Sequence, residues 1–361
     1  MRTGGSTVEY MPQLDGLRAI AAGGVIVEHW ASGFRPLLRD LVQSLDLGGW
    51  GVECFFVLSG FLITLILLDI KGQKLPFLSG LGHFYVRRAL RILPAYYATL
   101  IVVGFVSADM RSVIWWHALY LTDLYPLWHD SWPSAGGHFW SLAVEEQFYL
   151  FWPLIVLVTR LRTIKILALA LCVIAPVSRL IIWHAVGPAD QIVIYTFPTT
   201  ALDLLGLGAL LACHRRQGDQ SASSAFTRWL RGIGLAALLS YIVLYFHFRN
   251  SLLLAVFDRT LLAVFFGALV VSAANGLGGP LGWLVGSRFI VWLGTISYGL
   301  YVFHPFVTDL YVHLRNVLEL SDEHFGVYYI RYPLLTMLLL LVTSASYYLL
   351  ERPVRAFRRY F

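Results

Sequence analysis

Leu14-Asp15-Gly16-Leu17-Arg18-Ala19-Ile20-Ala21-Ala22-Gly23-Gly24-Val25-Ile26-Val27-Glu28-His29 is apolar enough to cross a membrane, yet it carries Asp15, Arg18, Glu28 and His29. Ionisable groups are costly in hydrocarbon, so each of the four is a candidate for function. On a helix, eleven residues at roughly 100° each bring His29 back nearly to the face of Arg18, about 16 Å further along the axis. One stripe then holds a cation at one end and a proton acceptor at the other.

The whole chain has this character. It is 58% hydrophobic and 13% charged, with a mean hydropathy of +0.68, against roughly 25% charged residues in soluble domains. Windows long enough for about 30 Å of hydrocarbon fall near 14–34, 48–70, 89–108, 141–159, 166–186, 194–213, 229–247, 253–273, 289–312 and 329–350. The expected fold is therefore all-α, a polytopic membrane protein of about ten transmembrane helices around a central polar cavity, with residues 1–361 as a single domain. The first span is too long for a cleaved signal h-region and is expected to be retained. Basic residues at Lys71, Arg88, Arg91, Arg162, Arg216, Arg231, Arg288 and Arg355 share one side, whereas the other holds Arg35, Arg39, Arg111, Arg249 and Arg315. The positive-inside rule then places both termini in the cytoplasm, with residues 1–13 as a short N-terminal segment and 351–361 as a basic tail. The net charge of +6 is explained by topology, and no nucleic-acid partner is needed. Cys54, Cys172 and Cys213 each fall in a span and carry no redox information. Gln217 to Ser224 reads as a short cytoplasmic loop.

Arg87, Arg88 and Arg91, at helical spacings of three and four, stand just before Ile92-Leu93-Pro94. A juxtamembrane cluster of this kind is commonly just solvated, but with Arg18 it surrounds one inner mouth, and guanidinium groups clamp phosphates in pairs. His29 lies in the outer half of its helix and is the side chain best suited to take a proton from a hydroxyl at neutral pH. Glu28 points about 100° away from it, so an orienting carboxylate is expected from elsewhere, with Glu145 and Glu146 as candidates in Trp140-Ser141-Leu142-Ala143-Val144-Glu145-Glu146-Gln147-Phe148-Tyr149. Asp109 to Phe139 forms the longest external segment. Its Trp115 and Trp116 read as an interfacial belt, and rings stacked on sugar faces are the sharper alternative for the segment. Ser59 lacks the setting of a hydrolase nucleophile and reads as small-residue helix packing. Arg179, Asp203, Asp258 and Arg259 lie within spans and are expected to pair or to face a wet cavity. No His/Cys group has metal-site spacing and no glycine-rich loop precedes a Lys, so no metal is expected.

Leu14-Asp15-Gly16-Leu17-Arg18 with His29, Phe55-Phe56-Val57-Leu58-Ser59-Gly60-Phe61, Arg88-Ala89-Leu90-Arg91-Ile92-Leu93-Pro94, the Trp140–Tyr149 block, Ile296-Ser297-Tyr298-Gly299-Leu300-Tyr301-Val302-Phe303-His304 and the closing Glu351-Arg352-Pro353 resemble, in order, the integral membrane proteins of acyltransferase family 3. The chain departs from the family pattern before Asp203, where Pro198-Thr199-Thr200-Ala201-Leu202 lacks an arginine that members often carry. The resemblance implies transfer of an acyl group, usually acetyl from acetyl-CoA, to a hydroxyl of a carbohydrate or related acceptor: envelope polysaccharide, lipid-linked sugar or a macrolide-type small molecule. It implies donor binding by Arg18, Arg88 and Arg91 with Arg87 beside them, and His29 as base or transient acyl carrier. Glu145 is expected to orient His29 or the acceptor hydroxyl, and Asp15, Glu28, Trp140, Tyr149, Asp203 and His304 to line the substrate cavity. His304 and Asp309 also form a His-x4-Asp string like that of glycerolipid acyltransferases, but on a helix the two side chains diverge by roughly 140°. Many relatives carry a fused hydrolase-like domain, whereas this chain reads as the stand-alone form, which completes the transfer or hands the acyl group to a partner. A proton-coupled transporter is the alternative from another class, although no symmetry between halves supports it. The expected location is the inner membrane.

Overall fold

A computed structural model describes residues 9–187, 191–217, 220–249, 251–319 and 328–357. Every element among them is helical, since in hydrocarbon a helix satisfies its own backbone N–H and C=O groups. The principal helices are α1 (Pro12–Trp30), α2 (Pro36–Leu45), α3 (Leu47–Gly72), α4 (Phe77–Val106), α5 (Ala108–Ala118), α6 (Phe139–Val158), α7 (Leu161–Val186), α8 (Leu202–Gln217), α9 (Gln220–His247), α10 (Leu252–Ala274), α11 (Arg288–Thr295), α12 (Ser297–Val317) and α13 (Tyr328–Ala345). Among the described residues, seven helical stretches are long and apolar enough to cross a membrane, and the α11–α12 pair, bent by 71°, makes eight if it is one span. The other two expected spans correspond to α1, which is interrupted by charge, and α8, which is only 16 residues long. Both are largely buried. The outer surface of the bundle is apolar instead, with Ile101, Val102, Phe105, Phe151, Val173 and Ile181 exposed, as suits a lipid environment rather than water.

Close backbone approach sets the centre. A Cβ on Gly60 of α3 would lie 2.0 Å from the Leu205 carbonyl oxygen of α8, and one on Gly208 would lie 2.3 Å from that of Val57. Small residues let these helices touch and hold α3 as the spine. At the other edge of α1, a Cβ on Gly294 would meet the Asp15 carbonyl oxygen at 1.9 Å, so α11 presses directly on the start of the helix that carries Arg18 and His29.

Several boundaries differ from the sequence windows. The 194–213 window is divided into a short helix Gln191–Thr196, a 3-10 turn Pro198–Ala201 and α8, because Pro198 has no N–H to continue a ladder. The window at 89–108 is the second half of a single 30-residue helix, so Arg87, Arg88 and Arg91 sit inside α4 rather than before it. In place of the expected loop at Gln217 to Ser224, α8 runs to Gln217 and α9 starts at Gln220. Residues 1–8 of the N-terminal segment and Arg358 and Arg359 of the basic tail lie outside the described residues. Between α1 and α3, α2 exposes Leu37, Leu38, Leu41 and Leu45, the pattern of a helix lying in an interface.

The segment from 109 to 139 is folded onto α6. Gln147 Nε2 donates to the Tyr120 carbonyl at 3.0 Å and to Asp123 Oδ2 at 3.0 Å. Burial pushes the Asp123 carboxyl up from 3.8 to about 7. Between those two values the native chain keeps a proton that the unfolded chain has released, so the contribution of Asp123 to stability is present on the acidic side and falls as pH rises through the window. Asp123→Asn should flatten that part of the pH dependence, as melting curves of wild type and variant across the window would show. Equal slopes would refute it.

Candidate active site

Arg18 and His29 leave α1 into two different cavities. Arg18 lines a narrow slot of about 70 Å³ with Ser59 of α3, Arg88 and Arg91 of α4 and Glu145 and Glu146 of α6. His29 lines a wider cavity of about 380 Å³ with Glu28, Asp46, His138, Trp140 and Tyr195. Val52 and Tyr301 line both, so a wall one residue thick separates the arginines from the histidine. The Tyr301 hydroxyl in that wall donates to the His138 carbonyl at 2.9 Å and is bonded to Ser141 Oγ at 2.6 Å.

The histidines define a proton address. His304 Nδ1 lies 2.7 Å from the Tyr301 carbonyl oxygen, which can only accept, so that nitrogen carries the hydrogen. In a neutral ring its Nε2 then holds a lone pair. His29 Nδ1 lies 2.5 Å from that Nε2 and must donate to it. The lone pair of His29 is thereby assigned to Nε2, on a ring with an exposed face in the cavity. His304 is fully buried and stacked on His29, with ring centroids 4.7 Å apart. His138 stands edge-on to both rings and faces the Val302 carbonyl.

The slot has its own network. Tyr149 donates to Ser59 Oγ at 2.7 Å, and Ser59 donates to Glu145 Oε1 at 2.5 Å. The Arg88 guanidinium covers the Tyr149 ring at 3.8 Å, its Nε stands 3.9 Å from Glu146 Oε1, and that Nε has no hydrogen-bond partner. Glu145 is thus held by Ser59 beside Arg88, and the partner of His29 is His304, contrary to the expectation that a carboxylate orients it. The physical reason is register: Glu145 leaves α6 into the arginine slot, where Ser59 of α3 holds it, whereas the bend at Ile296 turns α12 so that His304 meets the end of α1. Ser59, read as helix packing, is a polar member of the slot.

The other expected residues are distributed as follows. Asp15 pairs with Arg18 at 3.3 Å and accepts from Tyr10. Arg87 does not line the slot. Glu28 accepts from the Gly48 N–H at 2.7 Å and lines the wider cavity with Trp140. Asp203 lines neither cavity; it pairs with Arg179 at 2.5 Å and accepts from Thr260 at 2.6 Å, wholly buried. Arg179 also approaches Asp258 at 3.7 Å, so the buried charges do pair, and Arg259 turns to Glu53 at 3.6 Å. Glu53 escaped the sequence reading, although a carboxylate within Trp50-Gly51-Val52-Glu53-Cys54-Phe55 is a candidate by the same rule that singles out Glu28. Tyr301 and Ser141 gave no such signal, since hydroxyls on buried helices are common.

Helices long and apolar enough to cross a membrane thus enclose a basic slot and, beside it, a histidine whose free nitrogen is assigned, which defines a polytopic membrane protein with a polar interior. A family model described as an acyltransferase domain matches residues 11–351, and the chain belongs to acyltransferase family 3. Peptidoglycan O-acetyltransferase OatA of Listeria monocytogenes is 29% identical over 96% of this chain and 56% of its own length. YrhL of Bacillus subtilis is 28% identical over 96% of this chain and 55% of its own length. The chain therefore spans just over half the length of these relatives. No solved structure matches it.

Proposed function

We propose that this protein is a membrane O-acetyltransferase that moves an acetyl group from acetyl-CoA to a hydroxyl of an envelope glycan. The observation that carries the reading is the ordered pair His29–His304, which leaves His29 Nε2 as a base in the cavity next to the basic slot. Arg18, Arg88 and Arg91 fit the donor's phosphates: they converge on one slot, and Arg88 keeps an unpartnered Nε there. The slot is too narrow for a nucleotide, so the nucleotide stays outside it with its phosphates reaching in to the arginines, and the thin pantetheine arm carries the thioester through the slot toward Val52 and Tyr301. With both termini in the cytoplasm of a cell whose inner membrane holds the protein, the slot opens inward and the His29 cavity outward.

His29 Nε2 takes the proton as the acceptor O–H bond breaks, and the oxygen bonds to the thioester carbonyl carbon. The C–S bond then breaks, and the thiolate leaves with the proton returned from His29. While His29 is charged, its Nδ1–H points at His304 Nε2, so the two rings share the positive charge. Glycans as acceptors are supported by the peptidoglycan activity named for OatA.

The test is protein in lipid discs, given acetyl-labelled acetyl-CoA and envelope glycan. Label on the glycan with equal release of CoA is expected; absence of both donor binding and CoA release rejects the reading. His304→Gln should lower kcat by about 10²-fold or more, because the His29 tautomer is no longer imposed, and should move the pH profile of kcat. Donor KM should stay within a factor of about three. An unaltered kcat and pH profile would show that His304 only packs.

A further inference from the structure

The His29 cavity holds a second imidazole whose tautomer is fixed. His138 Nε2 lies 3.3 Å from the Val302 carbonyl oxygen, which can only accept, so in a neutral ring Nε2 carries the hydrogen and Nδ1 the lone pair. The element responsible is α12. Pro305 has no N–H to offer the carbonyl four residues before it, which leaves the Tyr301 oxygen to His304 Nδ1. The next carbonyl along the helix, that of Val302, receives His138. Two consecutive carbonyls of one helix therefore set the free nitrogens of both cavity histidines, His29 through His304 and His138 directly. His138 Nδ1 has no hydrogen-bond partner among the described residues, yet it is not sealed off, on a ring that is 8% exposed and lines the cavity. The His138 and His29 ring centroids are 6.5 Å apart at 81°, too far for the rings to bond each other and close enough for one small group to reach both. Phe139 and Phe306 pack on the His138 ring and hold its plane without offering Nδ1 a donor.

We propose that His138 is a specificity-determining residue of the transfer: its Nδ1 accepts a hydrogen bond from an O–H or N–H that neighbours the hydroxyl held by His29 Nε2. A hydroxyl has one hydrogen and cannot donate to both nitrogens. The molecule that receives the acyl group must therefore carry two donors side by side, as a diol or a hydroxyl next to an amide does. Held at two points, it presents only one of its hydroxyls to His29, so His138 decides which position is modified. A compound with the neighbouring donor blocked leaves Nδ1 unpaired and loses that bond. His138 moves no proton in this scheme. The inference deepens the proposed function and takes the reacting hydroxyl from it.

The experiment gives protein in lipid discs acetyl-CoA and a neutral N-acetylhexosamine disaccharide, and reads the acetylated position by NMR. Wild type should modify one hydroxyl. His138→Phe keeps an aromatic ring but removes Nδ1; it should lose about tenfold in kcat/KM for the disaccharide and spread acetyl over several hydroxyls. Its donor KM should stay within a factor of about three, which also shows that it is folded. His138→Asn, whose side-chain oxygen can stand where Nδ1 does, should keep the single position. Methylating the hydroxyl next to the modified one should cost wild type about tenfold more than it costs His138→Phe, a coupling that a packing role does not produce. Acetyl spread over several positions by wild type, one position at the wild-type kcat/KM in His138→Phe, or a methyl ether that costs both proteins equally overturns the assignment. The two readings fail separately. If acetyl passes and neither the variant nor the ether alters the outcome, the His138 contact fails and the transferase stands. If calorimetry shows wild type binding the disaccharide about tenfold more tightly than His138→Phe but no acetyl is ever transferred, the contact stands and the transferase reading fails.

Discussion

His29→Ala is expected to lower acetyl transfer by about 10³-fold or more, with acetyl-CoA binding retained. A positioned general base contributes roughly 10² to 10⁴ in rate, and alanine also removes the partner that His304 Nε2 meets at 2.5 Å. Because His29 opens into its cavity at the end of α1, its truncation leaves the contact of Gly294 in α11 with Asp15 at the other end of the helix intact. Donor binding separates the two possible losses: calorimetry should return the wild-type affinity for acetyl-CoA, since the arginines lie across the Val52–Tyr301 wall. Transfer at the wild-type rate would remove His29 from the mechanism. Label trapped on wild-type protein but not on His29→Ala would show that Nε2 takes the acetyl group itself before passing it on.

Arg91→Ala is expected to raise the donor KM by about ten- to a hundredfold with a smaller change in kcat, the scale of one or two charge-assisted hydrogen bonds to phosphate. Arg88→Lys is the companion variant. It keeps the charge near Glu146 but loses the planar fork and the stacking on Tyr149 at 3.8 Å, so it too should raise donor KM. Arg88→Ala is less informative, because it leaves Glu145 and Glu146 without their buried cation and reports folding as well as binding. The effect of Arg91→Ala should also shrink as salt rises and screens the phosphates. An unchanged donor KM in Arg91→Ala and Arg88→Lys together would reject the clamp.

Periodicity and hydropathy made the membrane helices, the arginines and His29 legible, because the cost of a charge in hydrocarbon is a local property that any window of sequence displays. That cost equally marks Glu53. Its importance went unread because nothing in the sequence pairs it with Arg259. The division of the 194–213 window was not legible: Pro198 opens the 3-10 turn there, yet Pro94, Pro153, Pro176 and Pro305 lie inside continuous helices, so the sequence does not say which proline breaks a span.

What the chain by itself determined is which residues must be kept from lipid: Arg18, His29, Arg88, Arg91, Glu145 and the buried acids all require a polar interior. Only the tertiary structure decided their partners. His304 is 275 residues from His29 and meets it through the 71° bend between α11 and α12, while Ser59, next to Gly60 in the α3–α8 contact, takes Glu145 for the arginine slot. Helical periodicity states the face on which a side chain leaves its own helix. Which neighbour lies opposite depends on crossing angles and on close contacts such as Gly60 against Leu205 and Gly294 against Asp15, and those are set by packing across the whole bundle.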